Sequence, residues 1–356
     1  MRRNIKKIIS LLLVFAMVLT LGVTALAEGE TQVFWYTFSD VYLSFVRESL
    51  NQKLNEANIK FIDNDANATQ ATQTDQINTA VATKASLLVV NVVETGADGI
   101  AQNIVDTAKT ANMPLIFFNR SIEQSIVESY DKCIFVGTNY EDAGKMQGDM
   151  IGEYLLKDYE KYDLNGDGVI SYVMFKGDES NQEAIARTKY GVENANAKLV
   201  AAGKPELKYY DDQATTLYLV DQMGTWSRQV AQDYMTKILA QYTKDNNNMV
   251  ELVIANNDEM AIGAVQALQS AGYNKGEGST TIPVFGVDAT DDAKNLISEG
   301  SLAGTIKQDA VGMADAIAKI ASNYLEGKEA TADLDEHYVR EGSWKIAIPY
   351  SIYLGE

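Results

Sequence analysis

Leu252-Val253-Ile254-Ala255-Asn256-Asn257-Asp258 passes from a wholly apolar run into three polar side chains, and a helical pattern follows over Met260–Ala271. Apolar residues at both parities of a four-residue run indicate a strand covered on both faces, which is the mark of a parallel sheet packed between helices. The polar triplet then lies at the carboxyl end of that strand, where open α/β sheets hold their ligands. The same pattern recurs outward in both directions. Asn91 follows Leu88-Val89-Val90, Asp288 follows Val284-Phe285-Gly286-Val287, and Asp40 follows Val33–Tyr36 after a short loop. Each such residue also suits a helix N-cap, and Asp258 is expected to cap the helix it precedes.

Between these points short apolar runs alternate with longer amphipathic ones. A strand is predicted at Ile59–Ile62, and helices at Tyr42–Glu56, Asp75–Lys84 and Ala310–Leu325. Strand–helix alternation over 356 residues implies parallel sheets in about two domains, because single cores stop growing near ~250–300 residues.

Composition narrows the function. Arg2, Arg3, Lys6 and Lys7 precede the apolar stretch Ile8–Val23, and Ala25-Leu26-Ala27 is a small-x-small cleavage site, so residues 1–27 read as a secretory signal peptide. The formal net charge is −19, and the leader holds only basic charges, so the exported chain is more acidic still. Such a chain repels phosphate backbones, which excludes nucleic acid as a partner. The single cysteine, Cys133, permits no intrachain disulfide, and the single histidine, His337, disfavours zinc centres and Ser-His or Cys-His catalysis.

Asp40, Tyr42, Asn91, Arg187, Trp226, Asn257 and Asp288 supply the amides, carboxylates, guanidinium and flat rings that a pyranose needs for its hydroxyls and its apolar face. A second motif, Asp163-Leu164-Asn165-Gly166-Asp167-Gly168-Val169-Ile170-Ser171, spaces oxygen ligands like the front of an EF-hand calcium loop. Its twelfth position is Met174 where a bidentate Glu belongs. Either the loop is a tight Asx-rich turn, or a carboxylate from elsewhere completes a site.

Over essentially its whole exported length the chain resembles the periplasmic glucose/galactose-binding proteins of methyl-galactoside ABC transporters. The strongest blocks are Ser129-Tyr130-Asp131-Lys132, Phe117-Phe118-Asn119, Ile254-Ala255-Asn256-Asn257-Asp258, Ile282–Ala289 and Leu302-Ala303-Gly304-Thr305. The resemblance implies an α/β type I periplasmic binding protein fold: two doubly wound parallel-sheet lobes joined by a three-stranded hinge. The lobes would comprise residues 31–117 plus 309–347 and residues 118–308 plus 348–356. Crossings would fall near Phe118, Lys307–Asp309 and Ile348–Tyr350.

By the same match Asp40, Asn91, Arg187, Asn257 and Asp288 would hydrogen-bond a sugar between Tyr42 and Trp226. Asn181, Glu183 and Gln308 would line the same cleft, standing where the family has His, Asp and Asn; Tyr42 stands for its Phe. A structural Ca2+ would be held by Asp163, Asn165, Asp167, Val169, Ser171 and a distant Glu251, with Ser171 replacing an amide side chain. The implied protein is a monomeric, non-enzymatic binder in the periplasm or on the outer face of the envelope. Its partners would be ABC permease subunits and, in some members, a chemotaxis receptor. The rivals are a binder of ribose or another monosaccharide, a glycosidase with paired carboxylates, and a repressor core; the leader and the absence of a basic helix-turn-helix argue against the last.

Overall fold

The computed structural model describes residues 29–355; the signal peptide expected at 1–27 lies outside them. The elements run β1 (Thr31–Trp35), α1 (Val41–Glu56), β2 (Phe61–Asp65), α2 (Gln70–Ala82), β3 (Leu87–Val90), α3 (Asp98–Thr110), β4 (Leu115–Phe118), α4 (Gln124–Val127) and β5 (Cys133–Gly137). Next come α5 (Tyr140–Leu156), α6 (Tyr159–Tyr162), β6 (Ser171–Lys176), α7 (Gln182–Ala201), β7 (Lys208–Tyr209), β8 (Leu219–Val220), α8 (Arg228–Leu239), β9 (Leu252–Ala255), α9 (Asp258–Ser270), β10 (Val284–Asp288), α10 (Asp291–Ser298) and β11 (Gly304–Lys307). The chain closes with α11 (Ala310–Leu325), β12 (Val339–Glu341), β13 (Lys345–Ala347) and β14 (Ser351–Tyr353).

Two seven-stranded sheets result. The first has the order β12-β13-β5-β4-β3-β1-β2; the second runs β14-β11-β10-β9-β6-β7, with β8 also paired to β6. Both are doubly wound because their strands are apolar on both faces. In the first sheet Val33, Trp35, Leu87, Val89, Ile116 and Phe118 pack against α1 and α11, while Phe34, Leu88, Val90, Leu115 and Phe117 pack against α2 and α3. In the second, Met174, Leu252, Ile254 and Phe285 face α5 and α7, and Val173, Phe175, Val253 and Val284 face α8 and α9.

The sheets are not parallel throughout. β12 runs antiparallel to β13, and β14 antiparallel to β11. Edge strands tolerate reversal because only one side of their ladder is fixed by a neighbour.

The first crossing also differs from expectation. Cys133–Gly137 pairs with β4 inside the first sheet, so the chain leaves that sheet after Gly137 rather than near Phe118. It returns between Lys307 and Ala310, since α11 packs on α1, and crosses a last time between Ala347 and Ser351. Among the described residues no helix is long and apolar enough to cross a membrane.

Candidate functional site

The carboxyl ends of β1 and β4 face those of β6, β9, β10 and β11 across a narrow cleft. Its lining includes Asp40, Tyr42, Asn181, Glu183, Arg187, Trp226, Asn257, Asp288 and Gln308, nine of the ten residues expected from sequence, joined by Tyr36, Asn119 and Arg120. Two contacts close the mouth. Ser121 donates from its N–H and its hydroxyl to Glu183 Oε1, at 3.1 and 2.7 Å, and Gly96 lies against the Ser180 carbonyl.

Asn91 is the exception. It is fully buried, accepts from the Tyr36 N–H at 3.3 Å and donates to the Phe118 carbonyl at 3.1 Å and to Asn119 Oδ1 at 3.3 Å. It ties the ends of β1, β3 and β4 together and leaves the cleft to Asn119. Both asparagines follow an apolar strand, and only the register of β3 against β4 determines which one faces outward.

Helix capping and cleft lining coincide. Asp40 Oδ1 accepts from the Leu43 N–H at 2.8 Å, Asn181 Oδ1 from Ala184 at 2.9 Å, and Asn257 Oδ1 from Met260 at 3.0 Å. Capping fixes each side chain at a helix N-terminus, where the positive end of the dipole also favours oxygen-rich ligands. Asp258 is therefore not the cap expected of it. It is the first residue of α9, buried behind the cleft, and accepts from the Thr305 hydroxyl at 2.6 Å and the Thr290 N–H at 2.8 Å.

Three lining residues other than glycine have positive φ: Asn119 at 66°, Trp226 at 58° and Asp288 at 126°. Such conformations are costly for tryptophan and aspartate, and their clustering is a signature of a functional surface. For Trp226 the backbone is held by Asn257 Nδ2 on its carbonyl at 3.4 Å, and its ring lies flat against Gly177.

The charges are interlocked. Burial pushes the Asp288 carboxyl well above the usual carboxylate range, and Arg187 pulls it back. Burial opposes the charge on Arg187, yet Tyr350, Asp288 and Glu183 raise its pKa overall. Arg187 donates to the Asn256 carbonyl at 2.8 Å and to Gln308 Oε1 at 2.9 Å. Arg187 Nε and Glu183 Oε2, both buried, have no hydrogen-bond partner within the protein. Asp40 is already engaged on both oxygens, the second accepting from Tyr36 Oη at 2.6 Å. Arg120, which sequence reading did not single out, stacks 3.6 Å above the Tyr36 ring.

The calcium-loop residues converge only in part. Asp163 accepts from the N–H groups of Gly166, Asp167 and Gly168, and Asp167 Oδ1 from that of Val169. Glu251 does reach the loop from the start of β9, but its oxygens accept from the N–H of Asn165 at 2.7 Å, the N–H of Ser171 at 2.8 Å and the Ser171 hydroxyl at 3.1 Å. Asn165 Oδ1 and Ser171 Oγ turn away to the backbone of Met249, each at 2.7 Å. Among the described residues no three acidic, histidine or cysteine side chains are placed to hold a metal ion. Asp163, Asp167 and Glu251 thus all bond within the loop, while Asn165 and Ser171 would have to turn from Met249 to face an ion. Cys133 is a buried core thiol, and His337 is exposed and pairs with Asp335.

Known proteins bear on this cleft. Residues 31–329 match the family described as periplasmic binding protein domain. The D-galactose/methyl-galactoside binding periplasmic protein of Haemophilus influenzae is 32% identical over 86% of this chain and 84% of its own. The ribose import binding protein of Escherichia coli is 23% identical over 92% of this chain and 96% of its own. Among solved structures, an ABC transporter solute binding protein from Clostridium phytofermentans with bound β-D-glucose superposes with a TM-score of 0.71 at 19% identity, covering 91% of this chain and 94% of that one. With two facing sheets, a cleft at their carboxyl ends and a family match over most of its length, this chain belongs to the periplasmic binding protein family.

Proposed function

We propose that the chain is the exported substrate-binding component of an ABC sugar importer. It takes a galactose- or glucose-like monosaccharide into the cleft and passes it to a membrane permease. The observation that carries this reading is the lining itself. Tyr42 and Trp226 offer ring surface, while Asp40, Asn119, Glu183, Arg187, Asn257 and Asp288 surround them with donors and acceptors. A sugar hydroxyl donating to Glu183 Oε2 and accepting from Arg187 Nε would complete two buried groups that otherwise each cost about 1–3 kcal/mol. The similarity to the Haemophilus galactose-binding protein supports the choice of hexose.

Binding without chemistry fits the same residues. Asp40 is occupied as a cap and by Tyr36, so it is not free to act as half of an acid–base pair. A different monosaccharide is the second reading, and Gln308 favours it: its carbonyl oxygen is held by Arg187 rather than left to a ligand hydroxyl.

Calorimetric titration of the exported chain, freed of copurified sugar, tests the proposal with galactose, glucose, ribose and myo-inositol. Micromolar or tighter binding of galactose or glucose is expected. Binding of ribose alone would move the assignment to the second reading, binding of the cyclitol myo-inositol alone would overturn both, and no binding of any of the four would overturn the hexose reading.

A further inference from the structure

Arg187 is connected to every segment that joins the two sheets. Its Nη2 donates to Gln308 Oε1 at 2.9 Å, on the second crossing, and to Tyr350 Oη at 3.2 Å, on the third. The Tyr350 hydroxyl in turn shares a 2.9 Å hydrogen bond with Thr138 Oγ1, on the first. Beside it the Ile348 N–H donates to the Gly137 carbonyl at 2.7 Å, joining the first and third crossings through the backbone as well. Thr138, Arg187, Gln308 and Tyr350 are all buried. Arg187 and Gln308 line the cleft, whereas Thr138 and Tyr350 do not.

Hinge closure turns backbone torsions in just these connecting segments, so the hydrogen bonds between them depend on the hinge angle. A guanidinium is a planar fork whose donors hold fixed relative directions. Anchoring one arm of that fork to Gln308 and Tyr350 fixes how the other side, with Nε, is presented to the cleft. Resting on the proposed function above, we infer that Thr138 and Tyr350 are positioning residues. Through the Thr138–Tyr350–Arg187–Gln308 chain they favour the closed hinge and aim Arg187 at the ligand, although neither touches it.

The test uses Thr138→Val, Thr138→Ser and Tyr350→Phe in the full exported chain, with sugar affinity by calorimetry and interlobe geometry by small-angle X-ray scattering. Thr138→Val keeps the shape of the side chain and loses the hydroxyl; Thr138→Ser does the reverse. A packing role predicts that valine is tolerated and serine is not. The inference predicts the opposite: Thr138→Val and Tyr350→Phe weaken binding by roughly threefold to tenfold, as loss of one buried hydrogen bond implies, while Thr138→Ser binds as the parent does. The Thr138→Val/Tyr350→Phe double variant should be no weaker than the weaker single one, since both break one chain. Without sugar, both hydroxyl-lacking variants should show a larger radius of gyration than the parent. Parental affinity in Thr138→Val together with an unchanged radius overturns the inference. If the parent binds none of the sugars, the functional reading fails by itself. The hinge chain is then judged on the sugar-free radii, and equal radii refute it.

Discussion

Gly177→Ala is the sharpest probe of how Trp226 is held. Gly177 follows β6, and a β-carbon there would lie 2.1 Å from Trp226 Cε3 and 2.2 Å from Cδ2. Unstrained carbon contacts begin near ~3.5–4.0 Å, so the indole must retreat by about 1.5 Å. It cannot swing freely, because its backbone sits at φ 58° with its carbonyl held by Asn257. The ring lines the cleft with the Arg187 guanidinium 5.6 Å from its centre, so the displacement falls on the groups that face the ligand. Overpacking of this kind costs about 1–3 kcal/mol. Taken wholly from binding, that is a loss of roughly fivefold to 150-fold in affinity. Calorimetric titration with the preferred sugar, beside a melting curve, reads the outcome. Unchanged affinity would refute the reasoning, whether the melting temperature stays or falls, because the ring would then have moved without disturbing the ligand.

Three further outcomes are expected. Asn91→Ala should destabilise the fold by about 1–3 kcal/mol in denaturant unfolding by stranding the Tyr36 N–H, whereas Asn119→Gly, which keeps the positive φ allowed, should weaken sugar binding far more than it shifts unfolding; the reverse ranking would return Asn91 to the ligand. Burial pushes the Asp258 carboxyl up to about 7, against an unfolded value near ~3.9, so the folded state holds the extra proton between those pH values and loses stability as pH rises through them. The melting temperature should therefore fall from pH 5 to pH 8, with a shallower slope in Asp258→Asn; an equal slope in the variant would assign the effect to other groups. Because Asn165 and Ser171 bond to Met249 rather than face an ion, a calcium chelator should leave the melting curve unchanged, and a calcium-dependent rise of several degrees would show that the loop rebuilds itself around the cation.

Much of the fold can be read directly from periodicity. β9 and α11 begin and end where the apolar pattern does, because β9 is buried along its full length and α11 along the face that meets the first sheet. β2 shows where the pattern misleads. The apolar Ile59–Ile62 drew the expected strand, yet the ladder to β1 runs over Phe61–Asp65 and ends on polar Asn64 and Asp65. As an edge strand it needs backbone pairing on one side only, not an apolar sequence. The short strands β12, β13 and β14 carry too few residues for any period to register. Strand order is equally hidden: an apolar run at Cys133–Gly137 does not say which sheet it joins, and this moved the first crossing by about a strand and a loop.

The site was legible where chemistry and strand ends coincide, as at Asp40, Asn257 and Asp288. It was not legible where the register of neighbouring strands decides, as between Asn91 and Asn119. Nor do residue types announce the left-handed backbone of Trp226 and Asp288, since neither favours it; the surrounding contacts impose it. Tyr36 and Arg120 belong to the cleft through a stacked pair that no spacing rule connects.

The late position of the first crossing has a consequence for how the chain acquires its shape. Residues between Thr138 and Gln308 form nearly all of the second sheet and its helices as one uninterrupted stretch, lacking only the edge strand β14. The first sheet, although it begins at Thr31, waits for the far end of the chain: α11 must cover its inner helix α1, and β13 must pair with β5. Contacts of such long sequence separation form slowly, because the loop between them has to close first. As the polypeptide is made or threaded from its N-terminus, the lobe that emerges first is therefore the one completed last. Until residues 310–347 arrive it holds a sheet with one apolar face covered only by α1, and that interval is when the chain is most open to aggregation and most dependent on a chaperone.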